Sequence, residues 1–206
     1  MARPRLHDDA LRTRLLDATS EVISRRGEAA VTVRSVAADA GTSPSAVYAL
    51  FGSRDDLVAA VSAEGYRRFA AHLSAVPTTD DPGADLAGLG RAYREFALGE
   101  PHFYAVMFAR AIRQGADAPE AVEQTTFLVL RDAVARLLPD AAPAVVGQVA
   151  FGLWGLVHGM AGLELAGLAP GGRAEADARF DAALGAVGRG LVDGLLGRVP
   201  TPGRAR

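Results

Sequence analysis

Between Thr32 and Leu57 the chain reads Thr-Val-Arg-Ser-Val-Ala-Ala-Asp-Ala-Gly-Thr-Ser-Pro-Ser-Ala-Val-Tyr-Ala-Leu-Phe-Gly-Ser-Arg-Asp-Asp-Leu, so short hydroxyl side chains, a tyrosine and two arginines are set among apolar positions. Hydroxyls, a phenol and guanidinium groups make hydrogen bonds and carry charge; they suit phosphate oxygens and base edges. The spacing predicts two short helices around a tight turn. Thr32 caps a first helix whose Val33, Val36, Ala37 and Ala40 share one face, and Gly41 ends it because glycine accepts left-handed dihedrals. Ser43 caps the second helix, and Pro44 takes its first position, where a missing N–H costs nothing. Val47, Leu50 and Phe51 face inward and the second helix ends near Gly52. Ser45, Ala46, Tyr48 and Ala49 are left outward, a small-residue face able to approach a major groove. Ser53, followed by Arg54, Asp55 and Asp56, starts a further helix with carboxylates in its first turn.

The rest of the chain offers little other chemistry. It has no cysteine and four histidines, which removes disulfides, thiol catalysis and zinc knuckles together. No Gly-x-Ser-x-Gly elbow, phosphate loop or metal-ligand cluster is present, so neither an enzyme nor a metal or cofactor is expected. A formal charge of −2 argues against a protein that coats nucleic acid non-specifically, because counterion release needs a broad basic face. Basicity is local instead: Arg3, Arg5, Arg12 and Arg14 precede or open the first helix, and Arg34 and Arg54 open later ones. Each of these arginines could equally be a solvated helix face. A mobile arm carrying Arg3 and Arg5 could enter a minor groove.

These residues need elements to hold them. A first helix from about Asp8 to Arg26 shows an apolar stripe of Leu11, Leu15, Ala18, Val22 and Ile23 before Gly27. A fourth runs from Ser53 through Leu57, Val61, Tyr66, Phe69 and Leu73 until Pro77. The turn formers of residues 77–83 mark a domain boundary. Beyond it, helices are expected over roughly 84–99, 101–113, 119–138, 143–168 and 173–197, with no strand pattern. The expected fold is all-α, with about nine helices in two domains: residues 9–69, with the helix-turn-helix at 32–51, and residues 84–199.

The segment Ala40-Gly41-Thr42-Ser43, Val47-Tyr48, Phe51 and Ser53-Arg54-Asp55-Asp56-Leu57 resembles the signature of the TetR (tetracycline-repressor) family of bacterial transcription regulators. The likeness continues upstream through Leu15, Leu16, Ala18, Ile23 and Gly27, about the first third of the chain. Two departures are Ser45, where many members carry glycine, and Arg54, where the usual residue is lysine. The resemblance implies base contacts around Thr42, Ser43, Pro44, Ser45 and Ala46, and phosphate contacts from Tyr48 and Arg54, with Arg34 and Ala49 beside them. Double-stranded operator DNA is the implied partner.

A second resemblance lies in the C-terminal part. Trp154, His158 and Gly159, with Pro101, Tyr104, Met107 and Phe108, are similar to a TetR subfamily marked by a tryptophan and a histidine-glycine pair. It implies a ligand-binding and dimerisation domain. Phe96, Phe103, Tyr104, Met107, Phe108 and Phe127 could wall a pocket, with Trp154 beside His158 one helical turn on. His102, Gln124 and His158 could act as its polar handles; core packing is the alternative for each. Gly152, Gly155, Gly159 and Gly162 form a stripe, and Gly185 and Gly188 recur on the last helix. Glycine weakens a helix by about 1 kcal/mol, so such a stripe implies a close packing partner, read here as a second copy in a four-helix dimer interface. Residues 144–168 also read as a membrane span, but Gln148, His158 and Glu164 interrupt it. No signal peptide is evident, so a cytoplasmic location is expected. The expected function is a ligand-responsive repressor, released from its operator by a small hydrophobic or aromatic effector; the alternative is a helical adaptor controlled by a protein partner.

Overall fold

The computed structural model describes residues 5–114 and 120–195, with side chains described at 8–109 and 126–195 apart from 173 and 174. Among the described residues there are nine α-helices and no strand, as the periodicity predicts. They are α1 (Arg5–Arg26), α2 (Val33–Asp39), α3 (Pro44–Phe51), α4 (Arg54–Ser74), α5 (Pro82–Gly99), α6 (Pro101–Gln114), α7 (Glu120–Leu137), α8 (Pro143–Leu165) and α9 (Arg173–Leu195). A single 3-10 turn, Glu28–Ala30, connects α1 to α2. Helix α1 begins at Arg5 instead of near Asp8, which places Arg5 in a helix and not in a mobile arm. Arg3 lies outside the described residues.

The helices form two compact units. The first contains α1 to α3, α4 as far as Phe69, and α6. Its core joins Leu15, Leu16, Val22 and Ile23 of α1 to Val33, Val36 and Ala37 of α2, Val47 of α3, and Leu57, Val58 and Val61 of α4. Phe103 and Val106 of α6 complete that core. At Gly65 a Cβ would lie 2.7 Å from Met107 Cγ, so the missing side chain on α4 is the slot that Met107 fills. The expected C-terminal domain of residues 84–199 includes α6, and by compactness α6 packs with α1 to α4. Periodicity shows that α6 has an apolar face, but not which neighbour that face meets.

A polar knot ties the same unit. Arg68 donates from Nε to Glu64 Oε1 at 2.8 Å and from Nη2 to Asp17 Oδ1 at 2.8 Å, and its guanidinium lies 4.3 Å from the Phe103 ring centroid. Arg67 clamps the same Glu64 carboxylate with two bonds of 2.8 and 2.7 Å. These bonds, above all the one from Arg67, outweigh burial and lower the Glu64 pKa to about 2.

The α2–α3 turn depends on Gly41 at φ +66°, with no heavy atom within 4 Å of where a Cβ would stand. Gly41→Val should therefore cost backbone strain without a clash, about 1–2 kcal/mol, read as a lower thermal midpoint with unchanged helical circular dichroism.

The second unit contains the end of α4 from Ala70, α5 and α7 to α9. Val134 of α7 and Leu138, just past its end, pack on Val146, Val149, Ala150 and Leu153 of α8. Glycines let neighbours close in: a Cβ at Gly90 would lie 2.8 Å from Leu184, and one at Gly152 would lie 2.8 Å from Leu191. The turn-rich stretch before α5 is anchored. Asp85 accepts from the Thr79 N–H at 2.9 Å, the Thr79 hydroxyl at 2.7 Å and Arg136 at 2.7 Å, and the Thr79 hydroxyl leads in holding its pKa below the usual carboxylate range. Helix α8 is, among the described residues, the one helix long and apolar enough to cross a membrane by length and composition. Its Glu164 nonetheless takes two bonds of 2.8 Å from Arg94 of α5, which also reaches Asp177 of α9 at 2.7 Å.

Candidate functional site

The candidate site is assembled from two capped helices, α2 and α3. Thr32 Oγ1 accepts from the Ser35 N–H at 3.1 Å at the start of α2, and Ser43 Oγ accepts from the Ala46 N–H at 3.3 Å at the start of α3, with Pro44 in the first turn. Between them the Thr42 N–H returns to the Ala37 carbonyl at 2.8 Å. On α3, Val47 is buried and Leu50 and Phe51 pack against the core of the unit. Ser43, Pro44, Ser45, Tyr48 and Ala49 are exposed, while Thr42 and Ala46 are half-buried. At 53% exposed, Tyr48 is far more open than an aromatic side chain with a structural task in the core, and it stands beside small residues that keep the helix surface low. The Ser43 and Ser45 hydroxyls lie 3.0 Å apart, so they present a paired polar edge at the helix start.

The arginines divide by what they already hold. Arg34 lies in the first turn of α2, exposed. Arg54 is occupied: Nε donates to the Val31 carbonyl at 2.9 Å, Nη2 to the Glu28 carbonyl at 2.5 Å and Nη1 to Asp55 at 2.8 Å. Two α1 arginines that the sequence placed only at a helix start also reach this region. Arg12 lies with its guanidinium 5.5 Å from the Phe51 ring centroid, and Arg14 Nε points to the Ala40 carbonyl at 3.5 Å. Their partners are distant in sequence, so no local signal revealed them.

The ten side chains expected to line a pocket do not all belong to one unit. His102, Phe103, Tyr104, Met107 and Phe108 lie on α6 in the first unit, where Phe103, Tyr104 and Met107 are buried. His102 Nδ1 and the Ser24 hydroxyl share a hydrogen bond of 2.6 Å, and the Tyr104 and Phe108 rings meet tilted by 57° at 4.8 Å between centroids. In the second unit Phe127 and Trp154 are 6.1 Å apart, and Trp154 meets His158 edge-on at 6.3 Å. Phe96, also in this unit, packs near His72 at 6.1 Å. The Gln124 side chain lies outside the described residues. Sequence reading missed Tyr93, whose hydroxyl shares a 2.9 Å hydrogen bond with His158 Nδ1. The signal was available, since a tyrosine on a buried helix face needs a partner for its hydroxyl. Burial lowers the His158 pKa, which favours the neutral ring.

Residues 15–61 match the family model described as bacterial regulatory proteins, tetR family, and residues 86–187 match the tetracyclin repressor-like C-terminal domain. The chain belongs to the tetR family. Solved structures agree in fold: SCO4313, described as a candidate regulatory protein, is 28% identical with a TM-score of 0.67, over 95% of this chain and 100% of that one. A TetR-like transcriptional regulator from Rhodococcus sp. RHA1 is 23% identical with a TM-score of 0.70, over 95% of this chain and 100% of that one. The TetR family regulator PfmR from Thermus thermophilus is 19% identical with a TM-score of 0.67, over 85% of this chain and 97% of that one. No curated protein matched. The capped α2–α3 pair of this tetR-family transcription regulator lies within the first matched segment.

Proposed function

We propose that this tetR-family regulator is a cytoplasmic repressor that binds a two-fold symmetric operator as a homodimer and releases it when a small hydrophobic or aromatic effector binds. The observation that carries the reading is the outward face of α3, where Ser43, Pro44, Ser45, Tyr48 and Ala49 stand exposed over a buried Val47. That surface is shaped for a groove, with Thr42 and Ala46 at its edge and Arg34 beside it. The second supporting feature is on α8, where Phe151 is 65% and Leu163 52% exposed, in line with Gly155 and Gly159. A Cβ at Gly155, Gly159 or Gly162 would meet nothing within 4 Å, so this face is open and flat, as a second copy of the same helix requires. On α9, Val187 adds a further exposed apolar side chain. The linked Phe127, Trp154, His158 and Tyr93 supply aromatic walls and a neutral imidazole, which supports an uncharged or weakly polar aromatic effector. The tryptophan and histidine-glycine pattern at Trp154, His158 and Gly159 supports the same role.

Selection of bound duplexes from a random library, followed by affinity measurements with and without aromatic effectors, tests the reading. Enrichment of an inverted repeat, with affinity that falls on addition of an effector, is the expected outcome; affinity indifferent to every bound effector removes the ligand-responsive half. Arg34→Ala should weaken binding to the enriched duplex by roughly 10- to 100-fold, the loss expected for one charged contact of about 1–3 kcal/mol, while leaving the thermal midpoint unchanged.

A further inference from the structure

Arg54 stands where family resemblance puts a phosphate-binding lysine, yet each nitrogen of its guanidinium already donates a hydrogen bond within the protein. All three of its nitrogens donate within its own unit: Nε to Val31 O at 2.9 Å, Nη2 to Glu28 O at 2.5 Å and Nη1 to Asp55 Oδ1 at 2.8 Å. The two carbonyls belong to the connector between α1 and α2, 23 and 26 residues upstream. Val31 is buried, and the next residue is Thr32, the cap of α2. A planar fork can hold two carbonyls at once, whereas a lysine ammonium is a point donor that cannot reproduce that geometry. Arginine at this position therefore does something that the lysine of the family pattern cannot.

We propose that Arg54 is a positioning residue: it fastens the connector from Glu28 to Val31 onto the start of α4, and so sets how α2 and Arg34 meet DNA, instead of holding a phosphate itself. The proposal rests on the DNA-reading role of α2 and α3. It explains the arrangement around the α4 start, where Ser53 Oγ accepts from the Asp56 N–H at 3.0 Å and donates to the Asp56 carboxylate at 2.6 Å. That cap fixes the first turn of α4, and a fixed base is what a clamp on the connector needs.

The test uses the full chain with Arg54→Lys and Arg54→Gln. Hydrogen exchange reads the connector amides without DNA. Affinity for the duplex that the wild type enriches from a random library is then measured over a range of salt. The clamp predicts connector amides that exchange at least roughly tenfold faster in both variants, affinity lowered by a similar factor in both, and a salt slope equal to that of the wild type. A slope smaller by about 0.9 in Arg54→Gln and retained in Arg54→Lys is the mark of a phosphate contact and overturns the proposal. So does connector exchange that neither variant changes. A wild-type protein that enriches no duplex refutes the DNA reading itself, and that failure is told apart because the exchange measurement needs no DNA.

Discussion

Replacing Gly155 by arginine should convert the protein to a monomer and lower its affinity for the enriched inverted repeat by roughly 10²–10⁴-fold, the range that linked half-site binding supplies. The residue sits between Phe151 and Gly159 on the open face of α8, and no heavy atom lies within 4 Å of its Cβ position. An arginine there meets no clash inside its own chain, and it improves helix propensity by about 0.8 kcal/mol. It does place a hydrated charge in the middle of the flat apolar face, where the partner copy would have to desolvate it without a counter-ion. Sedimentation velocity at micromolar protein reads the mass, and circular dichroism confirms that the helices persist. A dimer that survives Gly155→Arg with unchanged operator affinity refutes this face as the interface.

The second large effect is expected at the knot around Arg68. Arg68→Ala leaves the Glu64 carboxylate, 8% exposed, with Arg67 as its remaining partner, and strips the guanidinium from Phe103. With Arg67 still clamping Glu64, loss of the charged hydrogen bonds costs about 1.5–3 kcal/mol, so the thermal midpoint should fall by roughly 5–10 °C. The pH dependence follows from Glu64. Its folded-state pKa of about 2 lies below the ordinary 4.5, so its stabilisation is fully present above about pH 4.5 and is lost as pH falls through about 2. The loss amounts to about 3 kcal/mol at 1.36 kcal/mol per pH unit. Urea midpoints across that range should fall more steeply for the wild type than for Glu64→Gln, which cannot titrate. Equal slopes in the two proteins would remove Glu64 as the source.

The reading head was legible because its signals are local. Thr32, Gly41, Ser43, Pro44 and Gly52 act on backbone groups within four residues, and the structure shows both caps and the positive φ at each glycine. The all-α fold was legible for a similar reason, since apolar spacing belongs to one helix at a time. What stayed hidden depends on partners far along the chain. The aromatic cluster of α6 looked like pocket wall because Phe103 and Met107 are large and apolar. Their burial against α1 and α4 rests on Gly65, a single small residue 42 positions before Met107 whose meaning emerges only in three dimensions. Arg54 shows the same limit. Its charge was evident, but the carbonyls that absorb it are 23 and 26 residues away. Gly152 and Gly155 read as one stripe, yet the first receives Leu191 from α9 and the second faces open space.

The inclusion of α6 in the first unit decides how this regulator can be recombined with others. A graft that ends at Phe69 strips Phe103, Val106 and Met107 from the centre of the head and leaves the Gly65 slot empty. Hybrid regulators built to keep the DNA specificity of this protein under a foreign sensing domain must therefore carry two separated pieces of chain, with the donor sensor inserted between them or after the second.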